Sequence, residues 1–316
     1  MTSKIKVGVV GVGHVGKEHA RILATVPQAE LVGICDIDPA KKEKAEAIGV
    51  PFFNRYQDLI GKAAAVCIAT PTFTHAGIAR EFLRAGIHTL VEKPITLRLE
   101  EADGLIELAR QKKCALQVGH IERHNPGFRR VEQIARNIRF LEIHRLGPFT
   151  PRIQDCGVVL DLMIHDIDIV LGLVKSEVER FDAIGVPVLT AFEDIANVRV
   201  KFKDGAIADL TASRLTPEKQ RKIRIFQEDA YISLDYEAQS AQIFRKQGLR
   251  ITQEKIDIQK SEPLREELEF FLTGIQTGES LGRPDEAARR ALAFALQVIE
   301  SIQKNAPRPT PTVVSS

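Results

Sequence analysis

Apolar positions along this chain follow two rhythms, and the change between them falls near residue 120. In the first 120 residues, short runs that are apolar almost throughout recur at KIKVGVV (4–10), AELVGIC (29–35), AAAVCIA (63–69), HTLVE (88–92) and CALQVG (114–119). A strand covered on both faces reads this way, because neither side meets water. Segments with helical spacing lie between them, at 15–26, 39–48, 75–85 and 98–112. Strands alternating with helices predict an α/β, doubly wound parallel sheet of the Rossmann kind.

After residue 120 a helical stretch (126–137) precedes a strand near 139–146 and a long apolar helix over 157–173. From residue 180 onward the period drops to two: Val198, Val200 and Phe202 point one way, Arg199 and Lys201 the other. Similar runs follow at 206–213, 221–227, 230–235 and 241–246, and Asp204-Gly205 is a hairpin signal. The pattern predicts an α+β unit with an open-faced, mostly antiparallel sheet, whose buried face the 157–173 helix would cover. Residues 263–274 and 285–304 read as helices. The expected organisation is therefore a dinucleotide-binding domain over 1–120, a substrate-binding and oligomerisation domain over 121–304, and a Pro-rich tail over 305–316.

Composition narrows the function classes. The 316 residues are 44% hydrophobic and 27% charged, an ordinary globular balance with length for two domains. A net charge of +2 makes no electrostatic case for nucleic acid or an anionic membrane. No apolar run approaches the roughly 18 residues of a membrane span. The first strand begins within four residues of Met1, so no signal peptide is expected. Cys35, Cys67, Cys114 and Cys156 form no CxxC pair, so free thiols in a reducing compartment, the cytoplasm, are expected.

Candidate chemistry begins at Gly11-Val12-Gly13-His14-Val15-Gly16, a GxGxxG between a predicted strand and a predicted helix. Asp36 ends the second strand 20 residues after Gly16, completing the dinucleotide fingerprint. Its carboxylate would bind ribose hydroxyls and repel a 2′-phosphate, and no arginine follows it, so NAD is expected over NADP. The fourth strand ends in Thr70-Pro71 with His75 opening the next helix, and the fifth ends in Glu92-Lys93-Pro94. In doubly wound sheets ligands bind outside the carboxyl ends of the strands, so all of these are candidate cofactor contacts.

A different question attaches to GVVLDLMIHDIDIVL (157–171), which carries Asp161, His165 and Asp168 inside an apolar helix. Positions i, i+4 and i+7 share one face, and an ionisable stripe there costs free energy unless it is paired or lines a cleft. A divalent-metal site is a rival, but no HExxH pattern or companion cysteine accompanies these residues. For Asp168 a cap or a buried arginine partner is the preferred reading. The basic run Arg129, Arg130, Arg136 and Arg139 could meet a diphosphate, although a solvated helix face is the commoner explanation.

Taken in order, the glycine-rich turn, ATPTxxH (69–75), EKP (92–94) and Gly157-x3-Asp161-x3-His165 resemble the glucose–fructose oxidoreductase/inositol dehydrogenase (Gfo/Idh/MocA) family. The resemblance spans nearly the whole chain. It implies a Rossmann domain, an open-faced C-terminal domain, and NAD(P)-dependent chemistry at a sugar or cyclitol hydroxyl. The family's catalytic positions carry over to Lys93, Asp161 and His165, facing a cleft between domains. A histidine, whose ordinary pKa is about 6.5, suits a general base at neutral pH, the role the resemblance implies for His165. Lys93 would stabilise alkoxide charge, and Asp161 would hold the imidazole or a neighbouring hydroxyl. The segment GHIERHNP (119–126) is similar to the GHIERFNP-type segment of the family's UDP-N-acetylglucosamine 3-dehydrogenase branch, with His124 where Phe is expected. That implies a UDP-N-acetylhexosamine oxidised at C3, with Arg123 and Asn125 as substrate contacts. A free-sugar or inositol dehydrogenase, or a non-catalytic NAD and sugar-nucleotide sensor, remain alternatives. The resemblance also implies a homodimer or homotetramer formed through the sheet face that carries Arg199, Lys201, Asp209, Thr211 and Tyr231.

Overall fold

The computed structural model describes residues 4–150, 156–282 and 285–305. The chain divides into two compact units, Met1–Gln133 with Asp257–Leu292, and Ile134–Ile256 with Ala293–Ser316. The first unit contains β1 (Ile5–Val10), α1 (Gly16–Leu23), β2 (Ala29–Cys35), α2 (Lys42–Ile48), β3 (Phe52–Phe53), β4 (Ala65–Ile68), α3 (Thr72–Arg84), β5 (His88–Glu92), α4 (Leu99–Gln111), β6 (Leu116–Gly119) and α5 (Pro126–Ile134). Its six strands are ordered β3-β2-β1-β4-β5-β6 and every pair is parallel. The strand order reverses between β1 and β4, and such a switch point opens a crevice at the carboxyl ends of the strands.

The second unit holds β7 (Phe140–Leu146), a wide π-helical turn (Val159–Met163), α6 (Ile164–Leu173), β8 (Val178–Val186), β9 (Ile195–Phe202), β10 (Ile207–Ser213), β11 (Gln220–Phe226), β12 (Ala230–Asp235), β13 (Ser240–Gln247) and β14 (Arg250–Ile256). The eight strands run β14-β13-β12-β11-β7-β10-β9-β8, antiparallel except for β7 beside β10. The period of two is realised as expected: Val198, Val200 and Phe202 of β9 are buried with Leu210 of β10 and Ile143 of β7. Gly205 turns the β9–β10 hairpin at φ 91, where a residue with a Cβ would be strained. The opposite face carries a ladder of rings, Phe140, Phe226, Tyr231 and Phe244, one from each of four neighbouring strands, with centroids 5.5, 5.2 and 4.4 Å apart.

Two expectations need correction. The contact division does not follow a boundary at residue 120, because residues 121–133 and 257–292 pack with the first unit. There α7 (Pro263–Thr277) inserts Leu268, Phe271 and Leu272 into the same apolar cluster as Val7, Val9 and Leu90. Asp285, just before α8 (Glu286–Asn305), accepts from Val118 N–H of the edge strand β6 at 3.3 Å and caps the helix through Ala288 N–H at 3.0 Å. Strands β3, β8 and β14 were also not expected. Of the expected tail, Asn305 is the last residue of α8 and 306–316 lie outside the described residues. All four cysteines are free, three of them buried. Among the described residues no helix is long and apolar enough to cross a membrane.

Candidate active site

The glycine-rich turn has the shape a dinucleotide pyrophosphate requires. Gly11 sits at φ 82, and a Cβ there would lie 2.7 Å from the Ala69 carbonyl of the neighbouring turn. A Cβ on Gly16 would lie 1.8 Å from the Gly11 carbonyl, so only glycine lets α1 start this close to β1. By contrast nothing lies within 4 Å of the Cβ position of Gly13, and Gly13, His14 and Val15 are exposed. The open stretch leaves backbone at the start of α1 accessible to an anion, the arrangement that holds a pyrophosphate. Asp36 is already oriented, accepting Val12 N–H at 2.8 Å and Asp38 N–H at 3.0 Å. Carboxylate lone pairs remain for ribose hydroxyls. Lys44, which the sequence did not single out, donates to the Val12 carbonyl at 2.7 Å and closes the turn from the other side.

The turns after β4 and β5 are joined by His75. Its Nε2 lies 2.8 Å from the Thr70 carbonyl and its Nδ1 3.0 Å from the Pro94 carbonyl. The ring is 1% exposed, and burial lowers its pKa against the pull of those carbonyls. A neutral imidazole donates through one nitrogen at a time, so His75, expected as a cofactor contact, sits between the two turns and donates to one of these carbonyls at a time. Thr70 spends its hydroxyl on Thr74 at 2.7 Å. Pro71 is exposed at the N-terminus of α3. Glu92, also expected to contact cofactor, turns inward to His19. Lys93 follows it, half-buried, with a cis peptide to Pro94.

In the second unit, the long apolar helix is not one regular α-helix. Asp161 lies in the π-helical turn and His165 in α6, so the extra residue per turn disturbs the uniform stripe expected from α spacing. Such wide turns recur at functional sites because they re-aim a side chain. Asp161 is half-buried, whereas His165 and Asp168 are 8% and 6% exposed. An arginine does pair with this helix: Arg145 of β7 grips Asp166 with Nε and Nη2 at 2.9 and 2.8 Å. Only β7, distant in sequence, could have disclosed that pair.

The beginning of the helix is fixed by Glu193, Asp194 and Arg214. A Cβ on Gly157 would lie 2.0 Å from the Glu193 carboxylate, which itself accepts Val159 N–H at 3.2 Å. Next to it Asp194 accepts the N–H groups of Val188, Leu189 and Thr190 at 2.7, 2.6 and 3.0 Å and Arg214 Nε at 2.7 Å. Burial pushes the Asp194 carboxyl upward, but these N–H groups and the guanidinium outweigh it and hold it well below the usual range. Arg214 also donates to the Cys156 carbonyl at 3.1 Å, immediately before Gly157. None of these three residues stood out in the sequence, since each lies in or beside a strand far from the helix.

In the segment after β6, where substrate contacts are expected, Arg123 and Asn125 also hold the fold. Arg123 donates to both carboxylate oxygens of Asp285 at 2.9 Å. Asn125 is 3% exposed and its Oδ1 caps α5 through Gly127 and Phe128 N–H at 3.0 and 3.3 Å. His124 acts as the aromatic residue it replaces, packing on Phe270 with ring centroids 5.2 Å apart. Burial and the charges of Arg129 and Arg123 push its pKa down to about 4, so it is neutral at pH 7.

Comparison with known proteins bears on both units. Residues 5–120 match the model of the GFO/IDH/MocA oxidoreductases, described as an NAD-binding Rossmann fold, and residues 138–233 match the GFO/IDH/MocA C-terminal domain. The UDP-N-acetylglucosamine 3-dehydrogenase of Acidithiobacillus ferrooxidans is 37% identical over 309 residues, 95% of this chain and 97% of that one. Its solved structure superimposes with a TM-score of 0.89, covering 95% of this chain and 98% of that chain. Myo-inositol 2-dehydrogenase of Thermotoga maritima is 26% identical over 327 residues, 95% of this chain and 97% of its own length. Levoglucosan dehydrogenase, solved with NADH and levoglucosan, shares the fold at 20% identity with a TM-score of 0.86, over 96% of this chain and 98% of that chain.

Proposed function

Because this chain belongs to the GFO/IDH/MocA oxidoreductase family, with NAD as its cofactor, we propose that it oxidises a ring hydroxyl of UDP-N-acetylglucosamine, at C3. The observation that carries this reading is the 37% identity, over 95% of the chain, to a dehydrogenase of that specificity. Bound NAD supplies the hydride acceptor. The chain's own residues handle the proton and the charge. Lys93 donates a hydrogen bond to the reacting hydroxyl and stabilises the oxyanion as it forms. His165 removes the proton as general base, and Asp161 orients the imidazole or binds a neighbouring hydroxyl. We place the protein in the cytoplasm, where its free thiols stay reduced.

The test is NADH absorbance when NAD and UDP-N-acetylglucosamine are added, beside free glucose, myo-inositol and other UDP-hexosamines. Turnover of inositol or glucose with none of UDP-N-acetylglucosamine moves the chain to another branch of the family. No turnover with any of them, together with binding of both NAD and sugar nucleotide, makes it a sensor.

For the cofactor, we expect NAD to bind more tightly than NADP, because a 2′-phosphate would meet the fixed Asp36 carboxylate. Asp36→Ala weakens NAD and narrows the preference, about tenfold for one lost pair of charged hydrogen bonds. Titration of both nucleotides by fluorescence reads it, and better NADP binding by the wild type would contradict the role of Asp36.

For assembly, we propose a homodimer or homotetramer joined through the open sheet face. A ladder of four rings flanked by the Arg199–Asp209 and Arg224–Glu142 pairs, each at 2.8 Å, is a large amphipathic surface. Sedimentation at micromolar concentration should give a multiple of 35.1 kDa.

A further inference from the structure

Behind Lys93 lies a buried histidine–glutamate pair that the catalytic reading does not use. His19, on α1 one turn after Gly16, is fully buried, and its Nε2 is 3.0 Å from Glu92 Oε1. The other carboxylate oxygen, Oε2, accepts the backbone N–H of Lys93 at 3.3 Å. Each oxygen of Glu92 is thus held, one from the helix of the glycine-rich turn and one from the lysine's own backbone.

The surroundings are shaped to keep that carboxylate where it is. Gly119 faces Glu92 across the β5–β6 ladder, and a Cβ there would lie 2.9–3.0 Å from the carboxyl carbon and both its oxygens. This gives the glycine that opens GHIERHNP a local physical cause. The titratable groups facing Glu92 are His19 on α1, Cys67 on β4, His75 on α3, Glu267 on α7 and Lys93 itself. Glu267 is fully buried, and among the described residues neither of its carboxyl oxygens has a hydrogen-bond partner. Burial and the charge of Glu92 raise its pKa well above the usual range, so it is the protonated member of the two acids. Burial opposes ionisation of Glu92 too, but the His19 bond and the Lys93 charge overcome it. An ionised Glu92 only accepts, so His19 Nε2 carries the proton and donates it.

We infer that His19 and Glu92 are positioning residues for Lys93: the buried imidazole orients the Glu92 carboxylate, and the carboxylate fixes the backbone from which the lysine side chain leaves. The inference rests on the reading of Lys93 as catalytic. A buried two-sided clamp removes the freedom of a turn that carries a long side chain, and a misplacement of about 1 Å costs up to about 100-fold in rate. Gly119→Ala, which pushes the carboxylate without removing a charge or a donor, isolates that effect.

The experiment compares kcat, KM and NAD affinity in His19→Leu, His19→Gln, Glu92→Gln, Gly119→Ala and Lys93→Met, using UDP-N-acetylglucosamine or the active sugar of the panel. In parallel, acetylation of Lys93 by acetic anhydride in the cofactor-free protein is followed by mass spectrometry. His19→Leu, Glu92→Gln and Gly119→Ala should lower kcat about tenfold or more, with NAD affinity within about twofold. His19→Gln, whose amide nitrogen can replace Nε2 as donor, should recover most of the loss. Lys93 should acetylate about threefold faster in Glu92→Gln, since the turn that carries its side chain is held less firmly. If Lys93→Met abolishes turnover while the other variants stay within about threefold of wild type, the positioning role is overturned alone. Wild-type turnover in Lys93→Met instead removes the catalytic reading and this inference with it. His19→Gln as poor as His19→Leu, or NAD affinity falling in step with kcat, would assign the pair to packing or to the glycine-rich turn. Should His19→Leu fail to fold, the smaller changes Glu92→Gln and Gly119→Ala carry the test.

Discussion

Lys93→Met and His165→Ala are each expected to lower kcat by about 100-fold or more, the usual range for a positioned acid–base group. NAD affinity should hardly change, because the residues suited to the pyrophosphate and ribose are Gly11, Gly13, Gly16 and Asp36 on other turns. If both side chains act on one hydroxyl, the double variant loses less than the product of the single losses, since groups serving one proton behave as a unit. Asp168→Asn should be mild by comparison. Single-turnover hydride transfer in His165→Ala is the deciding measurement. A rate within about threefold of wild type leaves no general-base role for this histidine.

Asp194→Asn is expected to destabilise the second unit by about 3–5 kcal/mol, the cost of leaving one partner of a buried ion pair alone. The Asp194 side chain is fully buried and that of Arg214 is 5% exposed, so water cannot replace the lost charge. Arg214→Met should cost a similar amount. The pH dependence fixes the sign. A carboxyl held low in the folded state contributes stability above its unfolded pKa of about 3.9, and that contribution is lost as pH falls through the folded value. Urea unfolding should therefore show a constant gap between wild type and Asp194→Asn from pH 7 to about pH 5, narrowing in stronger acid. A gap that widened in acid would mean Asp194 is not the ionised partner of Arg214.

Much of the candidate site was legible because its residues act within a few positions of each other. Gly11, Gly13, Gly16 and Asp36 belong to one strand–turn–helix–strand unit, and their spacing is set by local geometry that the structure reproduces. Strand β9 could be read for a similar reason, since burial on one face imposes alternation residue by residue. Strand β8 could not: at the sheet edge VERFDAIGV places Phe181 and Ala183 on its half-buried face but Ile184 and Val186 on its exposed one, so its apolar residues carry no clean period. The partners of His75 and Glu92 could not be read from the sequence, because a side chain at a strand end can face the crevice or the layer behind it.

By itself the sequence determined the class of both sheets and the glycine-rich turn, which depend on periodicity or short spacing, while Lys93, Asp161 and His165 were singled out by resemblance to the family's motifs. Tertiary structure alone decided which helix completes the first unit, since the apolar stripe of α7 could have covered either sheet until Leu268, Phe271 and Leu272 joined Val7 and Leu90. It also decided the partners of the buried carboxylates: His19 with Glu92 across 73 residues, Arg145 with Asp166 across 21, and Arg214 with Asp194 across 20. A buried charge needs an opposite charge in contact. Contact between residues that distant follows from how strands and helices stack, which no local pattern encodes.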